Sequence, residues 1–388
     1  MKNWTSSVIA FLPMLLIACF GGFCLLLCVF PAAKARAAPP NPADDLFSVQ
    51  QSDALGIGDL QREIPPEAAE ILGELQIEEG LDFNAALGKI WEAALGHLGG
   101  SVRTALASGA RILTIALLLS VAGAISEGGD VPDFIPLIGT VAVSVIAVGD
   151  VSSFVGFGAE TARRLSTFSR ALLPVIAAAA AASGAVTSSA AKYAATVLFV
   201  DLLLSFAIRV LLPLVFAYIA ATIAGAALRS DPLTSAAGSI KWLCTTALVT
   251  ITLCFTGYLS VTGIISGTAD AVVTRTVKTA ISSALPVVGS IVADAASTVI
   301  AGAGILRGAT GVFGMLVIIC LVLAPFISLG THYLVYKAVS GLVSGLPGNR
   351  VGGLVSALGS AFGIVLSLVG ASAFMLFFSI IASIKSVL

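Results

Sequence analysis

The chain has 388 residues, 58% of them hydrophobic and 11% charged, with a formal net charge of −1. A soluble domain carries about 25% charged residues, so this shortage excludes an ordinary water-soluble fold and places the chain among membrane proteins. The charges are also unevenly spread. Residues 38–99 hold 12 acidic and 2 basic side chains, residues 100–388 hold 9 acidic and 15 basic, and no clustered Lys/Arg face marks a nucleic-acid footprint.

Residues 1–37 read as an export signal. Lys2 gives the positive start, Val8–Phe30 the apolar run, and Ala35-Arg36-Ala37 a small-x-small cleavage site before Pro39-Pro40. The apolar run is long for a signal, so an uncleaved anchor is the alternative. Residues 38–102 read as a small acidic helical region outside the cytoplasm. Pro65-Pro66 suits a first helical turn, Glu67, Glu70 and Glu74 favour its N-terminal end, and Gly80 stops it. A second helix starts near Asp82, with Ala85, Ile90, Ala94 and Leu98 near helical spacing.

Residues 103–388 read as a polytopic transmembrane domain. Apolar runs fall at about 105–125, 134–156, 171–187, 193–228, 242–266, 309–330 and 361–384, with broken or short ones at 281–303 and 333–346. Only helices or closed barrels satisfy the backbone in lipid. The ten-residue alternation of a barrel is missing, so the expected fold is all-α with six to eight spans. The stretch 171–228 holds three charges, Lys192, Asp201 and Arg209. As one helix it would run roughly 87 Å, so it is expected to fold back into two or three passes. Arg163, Arg164 and Arg170 mark 157–170 as a cytoplasmic loop, whereas Glu127, Asp130 and Asp133 suit an outside loop. That orientation conflicts with an exported N-terminal region, and the sequence does not resolve the conflict.

Two elements echo each other. Pro136-Leu-Ile-Gly139-Thr140 matches Pro286-Val-Val-Gly289-Ser290, and Pro174 and Pro325 follow at similar distances. The spacing suggests two repeats, about 130–230 and 280–385, of the kind that builds many transporters. Chance is the competing explanation, since Pro and Gly punctuate apolar sequence often.

Asp150, Asp201, Arg209, Asp294 and Lys337 lie in or beside apolar runs, where a charge is costly and faces protein or water. Asp201 and Arg209 could pair on one helix, or Arg209 could snorkel to an interface. Asp201 could instead be a coupling site. Gly263-x-x-x-Gly267, Gly304-x-x-x-Gly308 and Gly359-x-x-x-Gly363 would allow close helix packing.

Chemistry is conspicuous by its absence. There is no phosphate loop, no Gly-x-Ser-x-Gly elbow and no His-Glu-x-x-His. Six cysteines lie in apolar runs, no Cys-x-x-Cys occurs, and His97 and His332 are the only histidines. No catalytic residue, cofactor or metal site is expected.

The C-terminal half carries a resemblance. Leu285-Pro-Val-Val-Gly-Ser-Ile-Val-Ala-Asp-Ala295, then Thr298-Val-Ile, Gly308-Ala-Thr-Gly-Val-Phe-Gly314, a long apolar run and Gly348-Asn-Arg350 occur in this order. In order and spacing they resemble the stage III sporulation protein AE family of endospore-forming bacteria. The resemblance extends to the signal segment, the acidic region and 171–228. It implies a non-enzymatic multi-pass protein of the mother-cell membrane around the forespore. Its implied partners are the other membrane proteins of a stage III channel or feeding-tube complex, with self-association left open. The alternative from the residues alone is a stand-alone secondary transporter with duplicated halves and an intramembrane Asp coupling site.

Overall fold

The computed structural model describes residues 60, 64–72, 83–125, 134–184, 186–228, 230–284, 289–346 and 351–384, with backbone alone at 83–84, 123–125, 134–136, 186–189, 262–284 and 289–301. The export segment 1–37 and Pro286 lie outside the described residues. Every described element is helical: α1 (Pro66–Leu72), α2 (Phe83–Ile125), α3 (Phe134–Ala182), α4 (Val186–Phe206), α5 (Leu212–Leu228), α6 (Asp231–Ala284), α7 (Gly289–Ser344) and α8 (Val351–Ile384). Among the described residues six stretches are long and apolar enough to cross a membrane, within the expected six to eight. The protein is an all-α, multi-pass membrane protein.

The helices are longer than the hydropathy runs suggest. α3 has 49 residues and α7 has 56, roughly 74 and 84 Å of rod against a bilayer core of about 30 Å. The segment 157–170 is therefore a correction: it is the middle of α3, not a loop. Its charges interrupt the hydropathy but not the helix. Between Gly158 and Pro174 no helix breaker occurs, and Glu160 reaches Arg164 at 3.3 Å, one turn on. The run 333–346 is likewise the last part of α7 rather than a separate short segment.

The stretch 171–228 folds back once. The break comes at Ser183-Gly184, where Gly184 has φ 96, a conformation that side chains with a Cβ rarely adopt. Beyond it α4 and α5 form one rod joined by a π-turn at Ala207–Leu211, in which Leu212 N–H bonds Ala207 O. Pro213 explains the π-turn. Its ring would crowd the carbonyl of Arg209 four residues back, and it has no N–H to offer that carbonyl.

α8 is the axis of the bundle. It carries no charge and is apolar all round, the pattern of a helix enclosed on every side. Of its most apolar window 83% is buried, against 28% for α2 and for α6. α7 pairs with it as a hairpin, Ser340 Oγ donating to Gly352 O at 2.9 Å across the turn. The remaining helices pack round this pair and turn Leu118, Val145, Leu198 and Leu253 outward. Unburied leucines and valines on so many faces fit a lipid surround.

Candidate functional site

Polar groups of the bundle gather at several places. The first joins α3, α7 and α8. Tyr336, fully buried, donates its hydroxyl to Asp150 Oδ2 at 2.8 Å. One turn before it, His332 is 1% exposed and sets Nδ1 2.8 Å from Ser328 O. Nδ1 must carry the proton to bond a carbonyl, which leaves Nε2 as a bare acceptor, without a partner among the described residues. The ring packs between Phe154, at 4.2 Å between centroids, and Phe362, at 5.5 Å. Ser328 Oγ lies 2.9 Å from Ser101 Oγ, which ties α2 to the same level.

The second is on the outer face. Asp201 accepts from Arg170 Nη2 at 2.8 Å, linking α4 to α3. Of the two alternatives for Arg209, the pair with Asp201 is not formed: eight residues along a helix leave the two side chains offset, whereas the neighbouring helix presents Arg170 directly. Arg209 is exposed in the π-turn, with no ion pair among the described residues. Asp201 and Arg170 are both substantially exposed, 45% and 64% by side chain, so the pair lies outside the core.

The third lies at the end of α8. Arg307 Nη1 donates to Ser183 Oγ at 3.1 Å and Nη2 to Ile384 O at 3.0 Å, while Lys192 Nζ donates to Ala382 O at 2.6 Å. Two buried cations thus meet the last carbonyls of a helix, where the macrodipole is negative. Thr196 and Ser379 hydroxyls, 2.5 Å apart, brace α4 against α8 just above.

A fourth polar surface surrounds a cavity of about 670 Å³ lined by Glu67, Glu70, Lys89, Glu92, His97 and Arg164 among others. Glu67 of α1 pairs with Arg164 of α3. The acidic region therefore lies on the same side as the arginines of α3, and an outside acidic region with a cytoplasmic 157–170 cannot both hold.

The glycines and prolines divide. A Cβ on Gly359 would sit 3.1 Å from Tyr336 Cβ, and one on Gly363 3.0 Å from the Tyr333 ring, so this pair brings α8 against α7. Gly139 faces Leu119 of α2 in the same way. Gly304 and Gly308 have open space where a Cβ would stand, so among the described residues no helix approaches closely there. Pro174 and Pro325 lie inside α3 and α7. Pro136, Gly263, Gly267, Gly289 and Asp294 are placed by backbone only. The sequence pointed to Asp150 but not to Tyr336, His332, Arg170 or Arg307. The i, i+4 spacing of His332 and Tyr336 on an apolar helix was the available signal.

Among the described residues, six long apolar helices packed round an apolar core that holds a few buried polar groups define a multi-pass helical membrane protein. The stage III sporulation protein AE family matches residues 73–386, and the chain belongs to that family. Stage III sporulation protein AE of Bacillus subtilis (strain 168) is 24% identical over 200 residues, covering 51% of this chain. The matched region spans 50% of that relative's length. No solved structure matches.

Proposed function

We propose that this chain is a non-enzymatic integral subunit of the channel or secretion complex between mother cell and forespore, needed for endospore formation. It resides in the mother-cell membrane that surrounds the forespore. The observation that carries this reading is the family match over residues 73–386, which takes in all but one of the described helices. The exposed apolar faces of α2, α3 and α6 support membrane partners, being broad and free of charge over long stretches. The other membrane proteins of the stage III complex are the proposed partners.

Deleting the gene in its own spore-forming host tests this. The expected arrest is at the engulfed-forespore stage, rescued by the full chain, with other stage III membrane proteins co-purifying in mild detergent. Normal spore yield, or purification of the chain alone under those conditions, contradicts it.

The transporter reading has one observation behind it. α2 and α6 begin about 150 residues apart, as do α3 and α7. Under that reading the purified chain alone moves a solute in liposomes, and Asp201→Asn abolishes the flux.

A further inference from the structure

Among the described residues, two lysines meet inside the bundle without a counter-charge. Lys337 of α7 donates to Ser356 O at 2.9 Å, Ser356 Oγ at 2.9 Å and Ser360 Oγ at 3.0 Å. Lys241 of α6 donates to the same Ser360 Oγ at 3.1 Å. Sharing one oxygen, the two ammonium groups are at most about 6 Å apart. Ser360 passes its own proton to Ser356 O at 3.1 Å, and the Tyr333 ring lies 5.9 Å from Lys337 Nζ. Every recorded partner is neutral, and among the described residues neither lysine forms an ion pair.

Neutral acceptors satisfy hydrogen bonds but do not cancel charge. Lys337 has used its three protons, whereas Lys241 has used one and keeps two. Lys337 stands seven residues before the end of α7 and Lys241 ten residues into α6, roughly 10 and 15 Å beneath the hairpin turns. At that depth two like charges side by side are costly unless an anion joins them. Both lysines are half-buried, so the spare donors of Lys241 are within reach of a ligand.

We propose that Lys241 and Lys337, steadied by Ser356 and Ser360, bind a phosphate-class oxyanion at the α6–α7–α8 junction. A net-anionic lipid headgroup, whose phosphate charge no choline ammonium balances, and a soluble phosphate share this chemistry. The site is independent of membership in the sporulation complex.

The test uses the full chain in micelles. In one arm, native mass spectrometry compares retention of phosphatidylglycerol and phosphatidylcholine. In the other, the thermal midpoint is read with inorganic phosphate against chloride at equal ionic strength, without anionic lipid. A preference for phosphatidylglycerol of about tenfold, lost in Lys241→Gln and Lys337→Gln but kept in Lys241→Arg and in Arg111→Gln, which alters an exposed arginine of α2, assigns a headgroup. A phosphate-specific rise in midpoint with the same pattern assigns the soluble ion. No preference in either arm, or one that survives both Gln variants, overturns the proposal. If the Gln variants fail to accumulate, a photoactivatable phosphatidylglycerol on the unaltered chain decides the lipid arm: adducts on α6, α7 or α8 near these lysines are expected, and adducts only elsewhere overturn it.

Discussion

The hydroxyl of Tyr336 donates to the carboxylate of Asp150 at 2.8 Å, joining α7 to α3 across 186 residues of sequence. The phenol is fully buried and the carboxylate half-buried. Tyr336→Phe leaves Asp150 without this donor and is expected to lower stability by about 1.5–3 kcal/mol, the usual worth of a hydrogen bond to a charged group. Asp150→Asn keeps an acceptor and is expected to cost less. Reversible denaturation in mixed micelles reads both.

Arg170 and Asp201 form an exposed pair between adjacent helices. Neutralising either side chain alone is expected to leave the amount of protein in the membrane within about twofold, since an exposed ion pair is worth only about 0–1 kcal/mol. Exchanging them, Arg170→Asp with Asp201→Arg, is expected to be equally mild. Immunoblots of membrane fractions check this. A coupling carboxylate would behave differently, with flux lost after Asp201→Asn.

The glycines make opposite predictions. Gly363→Val pushes into the Tyr333 ring at the α7–α8 contact and is expected to cost about 1–3 kcal/mol by overpacking. Gly308→Ala meets open space and is expected to be neutral or slightly stabilising, because alanine favours helix. Unfolding midpoints of the two variants separate them.

The fold class was legible because apolar residues so outnumber charges that only a lipid-solvated helical fold accommodates them. Helix ends were not. Hydropathy marks where a helix meets lipid, whereas a helix ends where its backbone is broken, at Gly184 and not at Arg163. The polar sites were half legible. Asp150 was conspicuous in an apolar run, but its partner came from another part of the chain. Asp201 drew Arg209 because the two are close in sequence, yet the helix packed alongside supplied Arg170 instead. The lysine pair was hidden for the same reason: Lys241 and Lys337 are 96 residues apart and meet only through Ser360.

The arrangement of α3 determines where the membrane begins. Residues 134–156, roughly 34 Å of helix, are long enough to cross the bilayer core, while 171–182, roughly 18 Å, are too short. Between them Glu160, Arg163, Arg164 and Arg170 are exposed, and Glu67 of the acidic region pairs with Arg164. The belt is therefore expected to mark the membrane edge, with the acidic region on its own side. Cysteine scanning along α3 tests this most directly, using the full chain in intact cells, its native cysteines replaced and a membrane-impermeant maleimide as the label. Cysteines at 141 and 145 should be protected, and those at 163 and 170 should react from the same face as one at 70. Protection at 163 and 170, or labelling of 70 and 163 from opposite faces, would contradict the account.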